Sequence, residues 1–503
     1  MKNDKARPIM VQGTSSHVGK SVLCAALCRI FRDAGLRVAP FKAQNMALNS
    51  AVTADGGEIG RAQAHQAEAA GIAPTIDMNP ILLKPTADRT SQVIIHGRVH
   101  GVMSAVEYHA FKKEAARYVI ESYERLASAY DVVVIEGAGS PAEINLREND
   151  LANMGIAEMA DSPVILAGDI DRGGVFAALV GTIELLTPQE KARLTGFIIN
   201  KFRGDIDLLK PGLSFLTERT KLPVLGVVPY MKDIMLPDED GVGLETRARA
   251  RTKADGVRIA IITLPRISNF TDFDPFRAQD GVTLTFIEDP SQIDGTDCVI
   301  IPGSKNTLED LRWLVEKGFG ERLQNFRHQG QGMLVGICGG FQMLGRTVSD
   351  PHGMESDLGT VAGLGLLDVE TTLSDSKKTF QVTAEAAIAG ESITVAGYEI
   401  HMGETSGADR TFSIINRRNN TAVAVRDGAT SKDGMVWGTY IHGIFDSDEF
   451  RGAFLNRLRA IKGRAPGPEC RPFAASADAA ITAFAKTVRE NLDMEKIMEM
   501  VGR

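Results

Sequence analysis

The sequence predicts an α/β protein built from two doubly wound, mostly parallel-sheet domains, and three observations predict it. The chain has 503 residues, too many for one hydrophobic core, because cores stop growing near ~250–300 residues. Short β-rich runs alternate with helical stretches in two separate series, one from Pro8 to about Pro237 and one from Val257 onward, as parallel sheets covered on both faces require. Between them the chain turns charged, and residues 245–253 (ETRARARTK) carry no apolar stripe, as expected of a linker between cores. The expected organisation is therefore a nucleotide-type domain at 1–237, a linker at 238–256 and a second domain at 257–503.

Composition narrows the class. Hydrophobic residues at 44% and charged residues at 24% are ordinary for a soluble globular protein. A net charge of -8 gives no sign of a nucleic-acid or membrane surface, although a local basic pocket could still hold an acidic ligand. Five cysteines at scattered spacing, with no secretory signal and no apolar run long enough to span a bilayer, point to a reducing cytoplasm without a disulfide framework.

In the first series, strands are expected at Ile9–Val11, Leu36–Ala39, Val132–Ile135, Val164–Ala167, Phe197–Asn200 and Val224–Val228. The first runs into Gly13-Thr14-Ser15-Ser16-His17-Val18-Gly19-Lys20-Ser21, with five residues between its glycines, one more than the common phosphate loop. Its place between strand and helix still suits phosphate binding: backbone N–H groups wrap the phosphates, Lys20 meets the terminal ones and Ser21 ligates Mg²⁺. The strand Asp131–Glu136 delivers a carboxylate to its C-terminal edge, where parallel sheets place ligands, and Glu136 suits a second metal ligand. Asp55, in a Gly-Gly loop, could complete that oxygen shell or serve only as a turn former. Asn200, at a strand end, could hydrogen-bond a nucleotide base or merely cap the strand. Cys24 and Cys28, four apart on the helix after the loop, are expected to be buried helix-face residues.

Several strings carry a resemblance. The Gly-Thr-x4-Gly-Lys-Ser loop, the Glu-Gly-Ala-Gly strand end at 136–139 and Asp55 resemble the dethiobiotin synthetase-like ATPases, which activate a carboxylate as an acyl phosphate. Residues 40–50 (PFKAQNMALNS), 56–63 (GGEIGRAQ), 145–153 (NLRENDLAN), 169–174 (DIDRGG) and 200–205 (NKFRGD) resemble, in order, the cobyric acid synthase family of the cobalamin pathway. The similarity runs through the second half as well, although Ala47 stands where serine is expected. It implies ATP- and glutamine-dependent amidation of the b, d, e and g carboxylates of adenosylcobyrinic acid a,c-diamide. The corrinoid is then the small-molecule substrate, with Mg²⁺ and ATP as cofactors and L-glutamine as ammonia donor. Lys42 matches a lysine that faces the transferring phosphoryl group in the related ATPases, where a second cation would offset charge on the equatorial oxygens. Gln44 and Asn45 lie in a string that favours this family over its sister, the cobyrinic acid a,c-diamide synthases. Asp150, Asp169 and Asp171 are candidates for organising the corrinoid or the metal, or are solvated loop residues.

In the second series, strands are expected at Val257–Thr263, Cys298–Ile301, Met333–Ile337 and Val436–Ile441, followed after Asp446 by a helical tail on the second domain. Gly336-Ile337-Cys338-Gly339-Gly340 is a strand that turns sharply at a cysteine and opens a helix, the shape of a nucleophile elbow. The helix N-terminus favours thiolate. Resemblance to triad-type glutamine amidotransferases implies attack of Cys338 on the glutamine side-chain amide, with oxyanion donors at Gly339 and in the turn at Gly303. His442, at a strand end about a hundred residues after the thiol, is the expected base, with His401 as its competitor. Many triad amidotransferases carry Glu two residues after that histidine, where this chain has Ile444. Asp446 or Glu449 could orient the imidazole, or a Cys-His dyad could suffice. Cys298 and Cys470 are read as structural.

Overall fold

The computed structural model describes residues 5–87, 89–231, 256–330, 332–409 and 411–503. The expected linker at 238–256 lies outside them except for Gly256. Six parallel strands form the first sheet, in the spatial order Val224–Pro229, Leu194–Phe202, Val164–Asp169, Arg7–Gly13, Val132–Glu136 and Val38–Phe41. The strand Arg7–Gly13 lies between two strands reached much later in the chain, so the connections leave it in opposite directions. The crevice at such a reversal, outside the carboxyl ends, is where doubly wound sheets bind ligands.

A smaller layer follows in space. The strands Gln44–Met46, Ile81–Ala87, Thr90–Ile95 and Arg98–Ser104 form a mixed sheet, and Ser50–Val52 pairs with Glu58–Gly60 as a hairpin. Ser50 and Val52 of this hairpin hydrogen-bond to the second half of the chain through Asn269, Tyr398 and Gln381.

The second main sheet orders its strands as Val282–Ile287, Val257–Ile262, Cys298–Ile301, Met333–Ile337, Val436–Thr439 and Ala429–Thr430, all parallel except the last pair. Beside it stands a mostly antiparallel sheet that the alternating pattern does not announce, built on the long hairpin Val369–Ile388 and Glu391–Gly407. The expected strand Val436–Ile441 divides between the two. Its first four residues continue the parallel sheet, while Ile441–His442 pairs with Tyr398 and Glu399 of the long hairpin. His442 thereby enters the region of Cys338 from the neighbouring sheet.

The helical tail is corrected. Its first helix, Asp448–Ile461, packs into the second domain's core as expected, whereas the helices Phe473–Asn491 and Met494–Met500, also expected there, pack on the first. Ile481, Phe484, Val488, Leu492 and Ile497 share one buried cluster with Ile9, Val11, Leu27 and Phe31. Arg29, buried on the helix Lys20–Asp33, reaches Asp478 at 2.6 Å. The physical reason is that the helix Lys20–Asp33 is apolar nearly all round, burying Leu23, Cys24, Leu27, Cys28, Ile30 and Phe31, and such a helix needs cover on both faces. The tail supplies the outer cover. Phe484→Ala is therefore expected to remove about 3 kcal/mol, and the loss is expected to fall on the nucleotide-type half. Urea melts followed by circular dichroism and by Trp313 and Trp437 fluorescence check this, because both tryptophans lie in the second half; a shift confined to the tryptophan signal would contradict it.

Candidate active sites

The first site forms where the strand Arg7–Gly13 meets the helix Lys20–Asp33. Gly19 sits at φ 100°, a conformation that disfavours a side chain, and a methyl group there would stand 2.2 Å from Asn200 Nδ2. Lys20 folds back over the loop, donating to the carbonyls of Ser15 at 3.0 Å and Gly139 at 2.9 Å. Glu136 is buried and collects a dense set of donors. Its Oε1 accepts from Ser21 Oγ at 2.8 Å and Lys42 Nζ at 2.9 Å. Its other oxygen accepts from Gln63 at 3.3 Å and Gln66 at 2.5 Å. Gln63 in turn accepts from Asn45 at 3.1 Å. Lys20, Ser21, Lys42 and Glu136 thus converge from three segments, with Gly13 and Thr14 at the start of the loop.

This donor set suits magnesium with a nucleotide. A hydroxyl and a carboxylate 2.8 Å apart are hard oxygen ligands, and Mg²⁺ typically takes one or two such groups plus substrate phosphates and water. Among the described residues no group of three His, Cys, Asp or Glu side chains gathers to hold a metal without a ligand's help.

Two expectations, for Asp55 and Asp150, are corrected here. Asp55 does not join Ser21 and Glu136: it is exposed on the hairpin turn and accepts a short hydrogen bond from Thr53 Oγ1. The adjoining Gly56 lies against Thr379 and Asn419 of the second domain. Asn200, open to a base contact or to capping the strand, donates to the Val18 carbonyl at 2.8 Å and accepts from Lys201 N–H at 2.9 Å, and so braces the loop. Asp150, read as a corrinoid ligand, spends its carboxylate on the backbone N–H groups of Ala152, Asn153 and Gly155, satisfying the start of the helix Met154–Met159. Asp169 is brought to the loop through Lys201, whose ammonium bridges Asp169 at 2.8 Å and the His17 carbonyl at 2.6 Å. Asp171 pairs with Arg203 at 2.8 Å on the surface. Gln44 accepts from Tyr108 OH at 2.8 Å.

The second site is the elbow. Cys338 ends the strand Met333–Ile337 at φ 52° and opens the helix Gly339–Leu344. The turn is tight because backbone fills the space around it: a methyl group on Gly340 would lie 1.9 Å from the Ile301 carbonyl oxygen, and one on Gly339 2.9 Å from Ser304 N. Sγ lies 3.7 Å from the Ile400 carbonyl. Gly303 faces the imidazole of His442, and a methyl group on it would lie 3.0 Å from Ser268 Oγ and 3.3 Å from His442 Cε1.

His442 is fully buried and stacks on Tyr398, ring centroids 5.2 Å apart. Its Nδ1 lies 2.7 Å from Asp272 Oδ2, whose other oxygen accepts from Gly443 N–H at 3.0 Å. Asp272 is the orienting carboxylate that the sequence reading sought at Asp446 or Glu449, both of which are exposed. It lies far upstream in the buried turn Phe270–Phe273, and a lone Asp in an aromatic run carries no motif. Burial disfavours the charged ring, but Asp272 and then Cys338 outweigh it, and the His442 pKa is pushed up to about 10. His401 also borders the Cys338 cavity. It stacks on Tyr440 at 3.7 Å and burial pushes its pKa down. Its neighbour Glu399 lies 3.6 Å away and is engaged by Arg418.

The two sites meet at a seam. Asn269, next to the Asp272 turn, accepts from Ser50 N–H at 2.9 Å while its Nδ2 lies 3.3 Å from His442 Nε2. Glu58, buried in the hairpin, is clamped between Lys84 of its own domain at 2.8 Å and Lys377 of the other at 2.5 Å. Those lysines hold its pKa well down against burial, and burial pushes Lys377 to about 8.

A raised His442 pKa stabilises the fold in full below the ordinary histidine value of ~6.5, and that contribution is lost as pH rises through about 10. Asp272→Asn is expected to move the imidazole titration down and to flatten the fall of stability over that window. Histidine NMR titration and urea melts at stepped pH measure both; an unmoved midpoint would mean that Asp272 does not hold the charge.

Residues 9–243 match the CobQ/CobB/MinD/ParA nucleotide binding domain, and residues 258–450 match the CobB/CobQ-like glutamine amidotransferase domain. Along its length the chain is similar to proteins named cobyric acid synthase. It is 50% identical to one from Syntrophobacter fumaroxidans over 99% of both chains. Identity is 51% to one from Sorangium cellulosum over 99% of both chains, and 50% to one from Klebsiella pneumoniae over 97% of both.

Proposed function

Given that the chain belongs to the cobyric acid synthase family and is an amidotransferase ligase of cobalamin biosynthesis, we propose that it amidates the b, d, e and g carboxylates of adenosylcobyrinic acid a,c-diamide. ATP is the activating reagent and L-glutamine the ammonia donor. The observation that carries this reading is the pairing of two complete sets of groups in one chain: Lys20, Ser21, Lys42 and Glu136 around the phosphate loop, and Cys338 with His442 and Asp272 at the elbow.

In the second domain the Cys338 thiolate, its proton held by His442, attacks Cδ of glutamine. The amide C–N bond breaks as His442 returns the proton to nitrogen, releasing ammonia and leaving a γ-glutamyl thioester that water hydrolyses. Asp272 keeps the ring oriented with Nδ1–H toward itself. Backbone N–H groups at Gly339 and near Gly303 face the developing oxyanion. In the first domain a substrate carboxylate oxygen attacks the γ-phosphorus of ATP, giving an acyl phosphate and ADP. Ammonia then displaces phosphate and leaves the amide. Lys20 and Lys42 offset charge on the transferring group. Mg²⁺, held by Ser21 and Glu136, would neutralise the β- and γ-phosphate oxygens. Asp169 and Lys201, beside the loop, and Gln44 and Asn45, beside the Glu136 network, are the residues nearest to where substrate would lie; Asp171 is a surface residue in this reading. Five free cysteines suit a cytoplasmic setting.

Cys338→Ala is expected to abolish glutamine-dependent amidation while ammonium salts still support it; loss of both would refute separate sites. Lys20→Met is expected to lower amidation by about 10²–10³-fold with either nitrogen source, and steady-state assays with glutamine and with ammonium chloride separate these outcomes. Offering the a,c-diamide and unamidated cobyrinic acid in parallel tests the substrate assignment, which turnover of only the latter would overturn.

A further inference from the structure

The cavity beside Cys338 carries more charge than amide cleavage needs. Besides the thiol, its walls include Lys84, Lys305, Glu355 and Lys377, yet proton transfer and oxyanion stabilisation are met by His442 and backbone N–H groups. Two of the lysines are committed, since Lys84 and Lys377 both bind Glu58. Lys305 is not. It is only 8% exposed, and its ammonium makes no hydrogen bond or ion pair among the described residues. A buried ammonium without a partner is costly, which points to a ligand that completes it.

Glu355 is the opposite charge on the same cavity. Its Oε2 accepts from Thr307 N–H at 2.8 Å, while Oε1 makes no hydrogen bond among the described residues. Burial pushes Lys305 down and Glu355 up, and each charge partly restores the other. They face one space without touching. A separated cation and anion of this kind are complementary to a molecule that carries both charges on one carbon.

We infer that Lys305 and Glu355 form an α-amino-acid subsite, Lys305 receiving the α-carboxylate and Glu355 the α-ammonium of L-glutamine, so that the ligand is held by its zwitterionic end while its amide reaches Cys338. The inference rests on the reading of Cys338 as a glutamine-cleaving thiol. It explains why the charged pair stands apart from the His442–Asp272 machinery: selection among amides depends on the end of the molecule that does not react. Because Lys84 and Lys377 border the same space and are tied through Glu58 to the first domain, the subsite exists only where the domains are docked.

The test uses the full chain and two measurements. In the first, ammonia release from L-glutamine is followed with MgATP and corrinoid present. Lys305→Met and Glu355→Gln are each expected to raise KM by about tenfold or more, the scale of a lost hydrogen bond to a charged group, with a smaller change in kcat and partial recovery in Lys305→Arg. In the second, protection of Cys338 from iodoacetamide is compared for L-glutamate, glutarate and 4-aminobutanoate, which lack neither group, the α-ammonium and the α-carboxylate respectively. The wild type is expected to prefer L-glutamate over both. Glu355→Gln is expected to erase the preference over glutarate, and Lys305→Met the preference over 4-aminobutanoate. Unchanged preferences and KM in active variants would overturn the subsite alone. A wild-type chain that releases no ammonia from glutamine would overturn the thiol reading and the subsite with it.

Discussion

Glu58 is a carboxylate with 1% exposure held between two lysines, and much of the seam between the domains depends on that clamp. A buried anion is tolerated only when its charge and its lone pairs are answered, and removing one partner of such a cluster costs about 3–5 kcal/mol. Ser50 Oγ shares the clamp, donating to Glu58 at 2.8 Å and accepting from Lys84 at 2.8 Å. The hairpin that carries both residues is thereby fixed against the long strand that carries Lys377. Through Glu58 it holds Lys84 and Lys377, which line the Cys338 cavity, and it presents Ser50 N–H to Asn269, the neighbour of His442.

The same hairpin leads directly into the helix Arg61–Ala70, whose Gln63 and Gln66 hold Glu136 beside the phosphate loop. A contiguous set of hydrogen-bonded groups therefore runs from Glu136 through this helix and hairpin to Asn269 and His442. The two sites are also alike in design. Each lies at the carboxyl end of a parallel sheet, where a strand turns sharply into a helix, the place such sheets offer to ligands. Glycine is required at both turns because neighbouring backbone or side chains occupy the space a Cβ would need.

Residues whose role depends on local geometry were readable from the chain. The phosphate loop with Lys20 and Ser21, the strand end at Glu136 and the elbow at Cys338 all rest on strand–turn–helix patterns within a dozen residues. Asp55 and Asp150 had the right residue type, but side chains of that type also satisfy turns and helix starts. Local hydrogen bonding took both. Asn200 braces the phosphate loop through the Val18 carbonyl.

Sequence by itself determined two α/β layers, the strand–turn–helix geometry at Lys20 and at Cys338, and a helical tail, because periodicity and turn chemistry are local properties of the chain. Only the tertiary structure decided that Asp272 orients His442, that the tail covers the first domain, and that Lys305 and Glu355 face the thiol. These are contacts between segments remote in sequence, selected by burial and by the need to answer each buried charge. An apolar stripe specifies that it must be covered, and a lone carboxylate that it must be paired; neither specifies by what.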